Sequence, residues 1–202
     1  MKKYLITIIS VVMMMCFSTS IYAITLEDLQ QQFSKHKIIH ADFIQERYIN
    51  GLSAPLHSSG KMIISQDLGL WWQQLTPFIM TLKMNQQRME QSVDGQQPQI
   101  ITAENQPQLF QFNHLLTAIF TADKQLLENN FEIILSEQNH QWTLILTPKI
   151  APLNKIFKQI TLHGNTYLQT IAIDDKQDDK TIITFKNHKT TKLTQHEQLL
   201  FK

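Results

Sequence analysis

Few residues in this chain have the types and spacing that catalysis requires. Ser58 and Lys61 form a Ser-x-x-Lys motif, in which the lysine activates a serine nucleophile when both lie one helical turn apart on one face. Residues 62–64 read Met-Ile-Ile, which predicts a strand, and strand positions three apart point to opposite faces. Ser34 and Lys37 repeat the motif, but at the predicted end of a helix. We therefore predict no catalytic residue at either place.

The metal-binding residue types are equally scattered. His36 and His40 lie four apart, but the predicted junction between a helix and a strand falls between them, so we predict surface histidines. There is no His-Glu-x-x-His sequence, and Cys16 is the only cysteine. The acidic run at residues 174–179 lacks the alternating ligands and central glycine of a calcium loop, so it predicts a solvated hairpin. The sequence thus predicts no metal and no cofactor.

The first 23 residues predict a secretory signal peptide. Lys2 and Lys3 precede an apolar run at residues 5–17, and cleavage is expected after Ala23. The run is short for a transmembrane helix, and Met13 to Met15 make a poor lipoprotein context for Cys16. We therefore predict a soluble periplasmic protein with one domain, residues 24–202. No basic stripe indicates a nucleic-acid partner, since the whole chain has a net charge of only +1.

The elements that would position a binding site centre on residues 69–84. Leu70 and Trp72 share a face of one predicted strand. After Pro77 the alternation resumes, with Phe78, Met80 and Leu82 on one face. Such a face fits either the core side of a sheet or the wall of a cavity for an apolar ligand, and flexible methionine suits a surface that adapts to varied guests.

The rest of the chain predicts a meander of about nine or ten strands with two or three helices. Thr25 and Asp28 resemble a capping box that begins a short amphipathic helix. Glycines at probable turns punctuate the strands, and residues 96–107 predict a loop. Residues 109–120 predict a helix so apolar that most of its circumference must be buried.

Three stretches resemble the periplasmic lipoprotein carrier family, the LolA-like proteins. Residues 41–45 are similar to the family's early Phe-x-Gln strand, residues 70–77 to its Trp-x4-Pro segment, and residues 142–149 to its second half. The resemblance implies an α+β, mainly β fold: an incomplete antiparallel β-barrel with helices covering its open mouth. Two features depart from the family. Gln66 stands near the place of the arginine that secures the lid, and we expect no counterpart of the family's C-terminal extension.

The resemblance implies a carrier that ferries the acyl chains of lipoproteins, or of a related acylated lipid, from the inner to the outer membrane. It implies an inner-membrane ABC exporter and an outer-membrane acceptor as partners, and we expect a monomer without enzymatic activity. We predict a hydrophobic cavity lined by Phe43, Met62, Ile64, Leu70, Trp72, Phe78, Met80, Leu82, Leu144 and Leu146. We predict a lid helix that presents Leu109, Phe112, Leu116 and Ile119. The alternatives are a lipid-sensing or lipoprotein-sensing module of the same fold, and a secreted hydrolase with an unrecognised set of residues.

Overall fold

The fold is taken from a computed structural model, which describes residues 24–85, 87–94, 96–102, 104–105 and 118–201. The predicted signal peptide and three of the four predicted lid residues, Leu109, Phe112 and Leu116, lie outside the described residues.

The described chain is dominated by one antiparallel sheet of eleven strands. The spatial order is β6-β5-β4-β3-β2-β1-β11-β10-β9-β8-β7, so β6 and β7 form the two edges of an open, curved sheet. This confirms the predicted incomplete barrel. The strands are β1 (Ile38–Tyr48), β2 (Leu56–Ser65), β3 (Gly69–Thr76), β4 (Met80–Met84), β5 (Arg88–Val93), β6 (Gln99–Thr102), β7 (Phe131–Gln138), β8 (Gln141–Pro148), β9 (Phe157–Gly164), β10 (Leu168–Asp175) and β11 (Lys180–Lys189).

Short helices accompany the sheet. They are α1 (Leu26–Ser34), α2 (Lys124–Asn130), α3 (Leu153–Ile156) and α4 (Gln195–Leu199), and residues 118–121 form a further helical turn. The predicted capping box is present at α1, where the Thr25 side chain accepts a bond from the Asp28 N–H and the Asp28 side chain accepts one from the Thr25 N–H. The Asp123 side chain accepts a bond from the Leu126 N–H at 3.0 Å and so caps α2.

Alternate connections of an antiparallel meander lie at the same end of the sheet, which gives this fold two distinct ends. One end carries the β2–β3, β4–β5, β7–β8 and β9–β10 connections, and α1 packs there. We call it the plug end. The opposite end carries the β1–β2, β3–β4, β5–β6, β8–β9 and β10–β11 connections, and we call it the mouth end.

The main core lies on the concave face of the sheet. Phe43, Met62, Leu144 and Leu146 are almost fully buried there, and α1 adds Leu29. Neighbouring strand positions such as Ile44 and Lys61 face outward and are exposed, as the two-residue period requires. The buried residues of the concave face form one cluster, as expected for a single core.

A smaller apolar patch occupies the convex face. Ile63 and Trp71 are directly opposite each other in the β2–β3 register, and both are buried. His40 lies opposite Ile63 on β1, and its Nε2 atom is 3.2 Å from a carboxylate oxygen of Glu197 on α4. The C-terminal helix therefore packs near this patch. His40 is only 16% exposed, so the prediction of a surface histidine is wrong at this position.

One further prediction is corrected by the structure, and one short helix was not predicted. The predicted loop at residues 96–107 contains β6, which pairs with β5 despite its short length and polar first residue. The polar tail after Lys189 contains α4, which a second capping box between Thr194 and Glu197 begins.

Candidate functional site

A stack of aromatic rings builds the central wall of the concave face. The Trp72 ring lies 3.8 Å from the Phe43 ring, centroid to centroid, in a stacked arrangement. Phe185 meets Trp72 edge-on at 6.1 Å, and Phe120 meets Phe185 edge-on at 6.2 Å. Offset and edge-to-face pairs are the favoured aromatic geometries, so the wall joins β3, β1, β11 and the helical turn at residues 118–121.

Gly60 makes this wall possible. A Cβ atom at Gly60 would lie 1.9 Å from the backbone oxygen of Gln73 and 2.8 Å from the Phe43 ring. No larger residue fits without moving β3 or the ring. The register shift between Ser59 and Gly60 marks the same place in the β2–β3 ladder.

An apolar cavity of about 190 Å³ lies beside this wall. One side comes from β3 and β4, namely Leu70, Trp72, Met80 and Leu82. Four isoleucines from β9, β10 and β11 make the facing side: Ile160, Ile171, Ile173 and Ile183. Ile119 and Phe120 lie above, so three layers of the fold enclose one space.

The cavity extends to the mouth end. Met80, Phe131, Leu153 and Phe157 line it, and each is the first residue of a strand or helix that begins at that end. All of the described lining residues are apolar. An apolar cavity of this kind stays dry and takes apolar guests, because a water inside would find no polar partners.

The structure brings together only part of the predicted cavity set. Leu70, Trp72, Met80 and Leu82 line the cavity, and so does Ile119 of the predicted lid. Phe43, Met62, Leu144 and Leu146 are buried in the adjoining core, and the partly buried Ile64 lines a neighbouring groove at the plug end.

Phe78 requires a correction. It was predicted to continue the face of Met80 and Leu82, but β4 begins only at Met80. Phe78 lies in the β3–β4 connection and is 53% exposed. Residues 77–79 form the turn itself, so the two-residue alternation begins only where β4 pairs with β3, at Met80 opposite Gln74.

The facing wall was missed at the sequence level. The register pairs Ile173 with Ile160 and Ile171 with Ile183, so these side chains lie side by side on one face. The two-residue alternation of apolar side chains does not show that the sheet curves so that β9–β11 face β3 and β4. The run of isoleucines at alternate positions was the available signal.

At the plug end, hydrogen bonds fix α1 in place. The Gln32 amide donates to the backbone oxygens of Asn165 and Thr166, the latter at 3.1 Å. The Trp142 indole N–H also donates to the Asn165 oxygen, at 2.6 Å. Gln66, which stands near the place of the family's arginine, donates to the Ser34 oxygen at 3.1 Å. This glutamine therefore contacts the end of α1.

The ionisable groups show no catalytic arrangement among the described residues. Ser58 is buried and Lys61 exposed on the same strand, so their side chains point apart. No group of three described His, Cys, Asp or Glu residues could hold a metal ion. The shifted groups are structural: Lys158 lowers the pKa of Asp178 through a hydrogen bond, and burial lowers the pKa of His188.

One family model matches most of this chain. The family model of LolA-like outer membrane lipoprotein carrier proteins matches residues 18–197. A search of curated proteins found no match. Within the described part of the chain, no helix has the length and apolar character needed to cross a membrane.

The chain is similar to several solved structures at low sequence identity. A LolA superfamily protein from Nitrosomonas europaea has a TM-score of 0.49 at 9% identity, over 89% of this chain and 98% of that one. A DUF1329 family protein from Desulfovibrio piger has a TM-score of 0.44 at 10% identity, over 84% and 93%. A domain described as an outer membrane lipoprotein-sorting protein, from Vibrio parahaemolyticus, has a TM-score of 0.43 at 9% identity, over 88% and 98%.

Proposed function

Because the chain belongs to the LolA-like family of outer membrane lipoprotein carrier proteins, we propose that it carries acyl chains through the periplasm. The cargo is a lipoprotein or a related acylated lipid, whose acyl chain enters the cavity while its polar part stays in water. The proposal assigns binding and transfer to the chain, and no catalysis.

The observation that carries the proposal is the wholly apolar lining of the cavity. Met80 and Leu82 face four isoleucines across a space bounded by Trp72. Such a lining offers a polar substrate no hydrogen-bond partner, and burial without a partner is costly. An acyl chain has no such requirement, and each buried methylene contributes roughly 0.8 kcal/mol.

The cavity is too small to hold a whole acyl chain without rearrangement. A cavity of roughly 150 Å³ holds one benzene molecule, so the 190 Å³ here accommodates only a short part of an acyl chain. A longer chain must displace side chains that now fill the space. Ile119 and Phe120 are the described residues best placed to move, because they belong to a short helical turn and not to the sheet.

The proposed partners follow from the family. An inner-membrane ABC exporter would supply the cargo and an outer-membrane acceptor would receive it.

A binding experiment with matched variants tests the proposal. Leu82→Glu places a charge inside the cavity, and Ile134→Glu places the same charge on the convex face, where Ile134 is 63% exposed. A fluorescent fatty acid should lose affinity for Leu82→Glu by at least about a hundredfold, since an unpaired buried charge costs several kcal/mol. The Ile134→Glu variant should bind as the wild type does.

Two further measurements keep the test decisive. Leu82→Trp fills the cavity without adding a charge, so it should also weaken binding even if Leu82→Glu fails to fold. Native mass spectrometry of protein isolated from its own periplasm should show a bound acylated lipid. Equal affinity in wild type and Leu82→Trp would exclude the cavity as the binding site. Binding without transfer to acceptor vesicles would favour a sensing module instead.

A further inference from the structure

A basic groove of about 760 Å³ lies at the plug end, and none of its described lining residues belongs to the apolar cavity. Three parts of the chain form the groove: the connection between α1 and β1, the connection between β2 and β3, and the segment that follows β11. Its volume lies within the roughly 300–1,000 Å³ that is usual for ligand sites. The groove can therefore hold a ligand or a short segment of another chain.

Three lysines line the groove, namely Lys35, Lys37 and Lys192, and all three are exposed. None of them forms an ion pair with another described residue. Asp67 is the single acidic residue of the described lining. Since one carboxylate cannot neutralise three ammonium groups, the groove carries an excess of positive charge.

The charges beside the groove do not cancel this excess. Glu197 is the only other acidic residue in the three parts of the described chain that form the groove. Its carboxylate accepts bonds from the backbone N–H and the hydroxyl of Thr194, and it lies 3.2 Å from the His40 ring. Lys189, the last residue of β11, is exposed and has no ion pair in the described chain. It therefore offsets the one negative charge that Glu197 adds.

The acidic residues of the neighbouring elements also have cations or helix ends beside them. Asp42 on β1 lies directly opposite Lys61 on β2 and Lys186 on β11. Asp123 lines the adjoining plug-end groove, and its side chain caps α2. The acidic residues of α1 lie in its first turn, at the other end of that helix from the basic groove. Positive charge therefore prevails along the rim.

Apolar side chains form the base of the groove. Ile38, Leu193 and Phe201 are partly buried there, and Leu68 is 38% exposed. Ile38 lies opposite Ser65 in the β1–β2 register, so the base begins at the sheet itself. The groove thus combines a recessed apolar base with an exposed cationic rim.

Hydrogen bonds join the parts of the chain that form the groove. The Gln66 side chain donates to the Ser34 oxygen at 3.1 Å, and the Gln66 N–H donates to the Lys37 oxygen at 3.0 Å. The Leu68 N–H donates to the Ser65 Oγ atom at 3.2 Å. These bonds fix the β2–β3 connection against the end of α1, so the groove needs little ordering before a partner binds.

We propose that the basic groove binds an acidic segment of a partner protein. Alternate side chains of an extended segment point to opposite sides, so carboxylates can meet the lysines of the rim while apolar side chains enter the base. A bilayer fits less well, because three of the four apolar side chains are recessed and a flat surface reaches only Leu68. A single free anion also fits less well, because one exposed ion pair contributes little and only several together give affinity.

The site is independent of the proposed carrier function. It lies at the end of the sheet opposite the mouth end, and no described residue of the cavity lines it. A partner bound here leaves the mouth end free for the passage of an acyl chain. Because its selectivity comes from charge, docking should weaken as the salt concentration rises.

Fluorescence anisotropy with a rhodamine-labelled peptide that alternates glutamate and leucine tests the proposal. The groove variant is Lys37→Glu with Lys192→Glu. Its matched control is Lys155→Glu with Lys176→Glu, which changes the net charge equally at two exposed mouth-end lysines without ion pairs in the described chain. The wild type should bind the peptide, the groove variant should lose affinity by about tenfold or more, and the control should stay within about twofold of the wild type.

The apolar base is tested without a change of charge. Leu193→Ser removes a side chain from the groove, whereas Leu199→Ser changes an exposed leucine of α4 that does not line it. Only Leu193→Ser should weaken peptide binding, by about threefold to tenfold. A peptide with lysine in place of glutamate should bind the wild type at least about tenfold more weakly than the acidic peptide.

Three results would overturn the proposal. The first is a wild type that does not bind the acidic peptide, or equal binding by the wild type and the groove variant. The second is flotation with phosphatidylglycerol vesicles that requires Lys37 and Lys192 while the peptide does not bind, because the groove would then contact a lipid surface. The third is displacement of the peptide by inorganic phosphate at constant ionic strength, because the lysines would then bind a free anion. Fatty-acid binding should be the same in all variants, and its failure in the wild type would refute the carrier function alone.

Discussion

The two ends of the sheet differ in how their apolar side chains are covered, although the same strands form both ends. At the plug end, α1 is buried through Leu26, Leu29 and Phe33, and side-chain amides fix it to the strand connections. At the mouth end, apolar side chains are exposed and lack such a cover in the described chain. Directional hydrogen bonds specify one closed arrangement, whereas apolar contacts accept many partners. The difference indicates that the contacts that stabilise the fold are concentrated at the plug end, and the carrier function proposed above would place entry and release of the guest at the mouth end.

The largest expected effect comes from Phe33→Ala at the plug end. Phe33 is 8% exposed and meets Trp142 edge-on at 5.6 Å. Removing a buried phenyl ring costs about 3–5 kcal/mol, so the free energy of unfolding in urea should fall by that amount. Affinity for a fatty acid, measured under native conditions, should stay the same because Phe33 does not line the cavity.

The Phe120→Ala variant removes the same ring from the cavity wall that Phe33→Ala removes from the plug end. The half-buried Phe120 lines the cavity, so this variant should lose less stability than Phe33→Ala but change fatty-acid affinity. If the plug-end variant changes affinity while its stability is kept, the division between the two ends is wrong.

An intermediate effect is expected for Ile119→Ala. Ile119 is 4% exposed and lines the cavity from above. The loss of stability should be about 2–3 kcal/mol, near the lower limit for such changes, because the cavity already leaves part of this side chain without neighbours. The enlarged space should bind branched or longer acyl chains more tightly. Titration with fatty acids of increasing length measures this, and unchanged length preference would contradict it.

The smallest effect concerns pH at the plug end. The His188 ring stacks on Tyr167 at 4.9 Å and donates to the Leu168 oxygen at 2.9 Å, and burial lowers its pKa below the ordinary value. The unfolded chain, with a histidine pKa of about 6.5, therefore takes up this proton before the folded one does. The stabilising contribution is complete above about pH 6.5 and is lost as the pH falls through the lower, folded-state pKa.

Unfolding in urea at neutral and mildly acidic pH checks this expectation. The His188→Gln variant should lose less stability on acidification than the wild type, because it lacks the shifted group. Parallel losses in both proteins would assign the pH dependence to other residues.

The sequence predicted local features well because they depend on neighbouring residues. The capping box of Thr25 and Asp28 and the turn at Pro77 follow from side-chain chemistry over a few positions. The strands with strict alternation, such as β3 and β8, were recognised for the same reason. The predicted faces of β3 and of β4 from Met80 onward also agree with the residues that line the cavity.

The missed features depend on distant parts of the chain. Phe43 and Leu146 have the same alternation as Trp72, yet they lie in filled core while Trp72 borders open space. Curvature of the sheet decides which apolar positions face a gap, and curvature arises from all eleven strands together. Likewise β6 and α4 are short and polar, so only their pairing and capping contacts reveal them.

The edge strands β6 and β7 do not pair with each other, and this affects how far the sheet can open. A closed barrel has a fixed circumference, because widening it would break a ladder of hydrogen bonds. In the described chain no ladder joins β6 to β7, so the circumference can grow by flexing without breaking a strand pair. We therefore expect the width of an accepted ligand to depend on the flexibility of the sheet and on the residues that lie between its two edge strands. One protein could then bind ligands of different thickness.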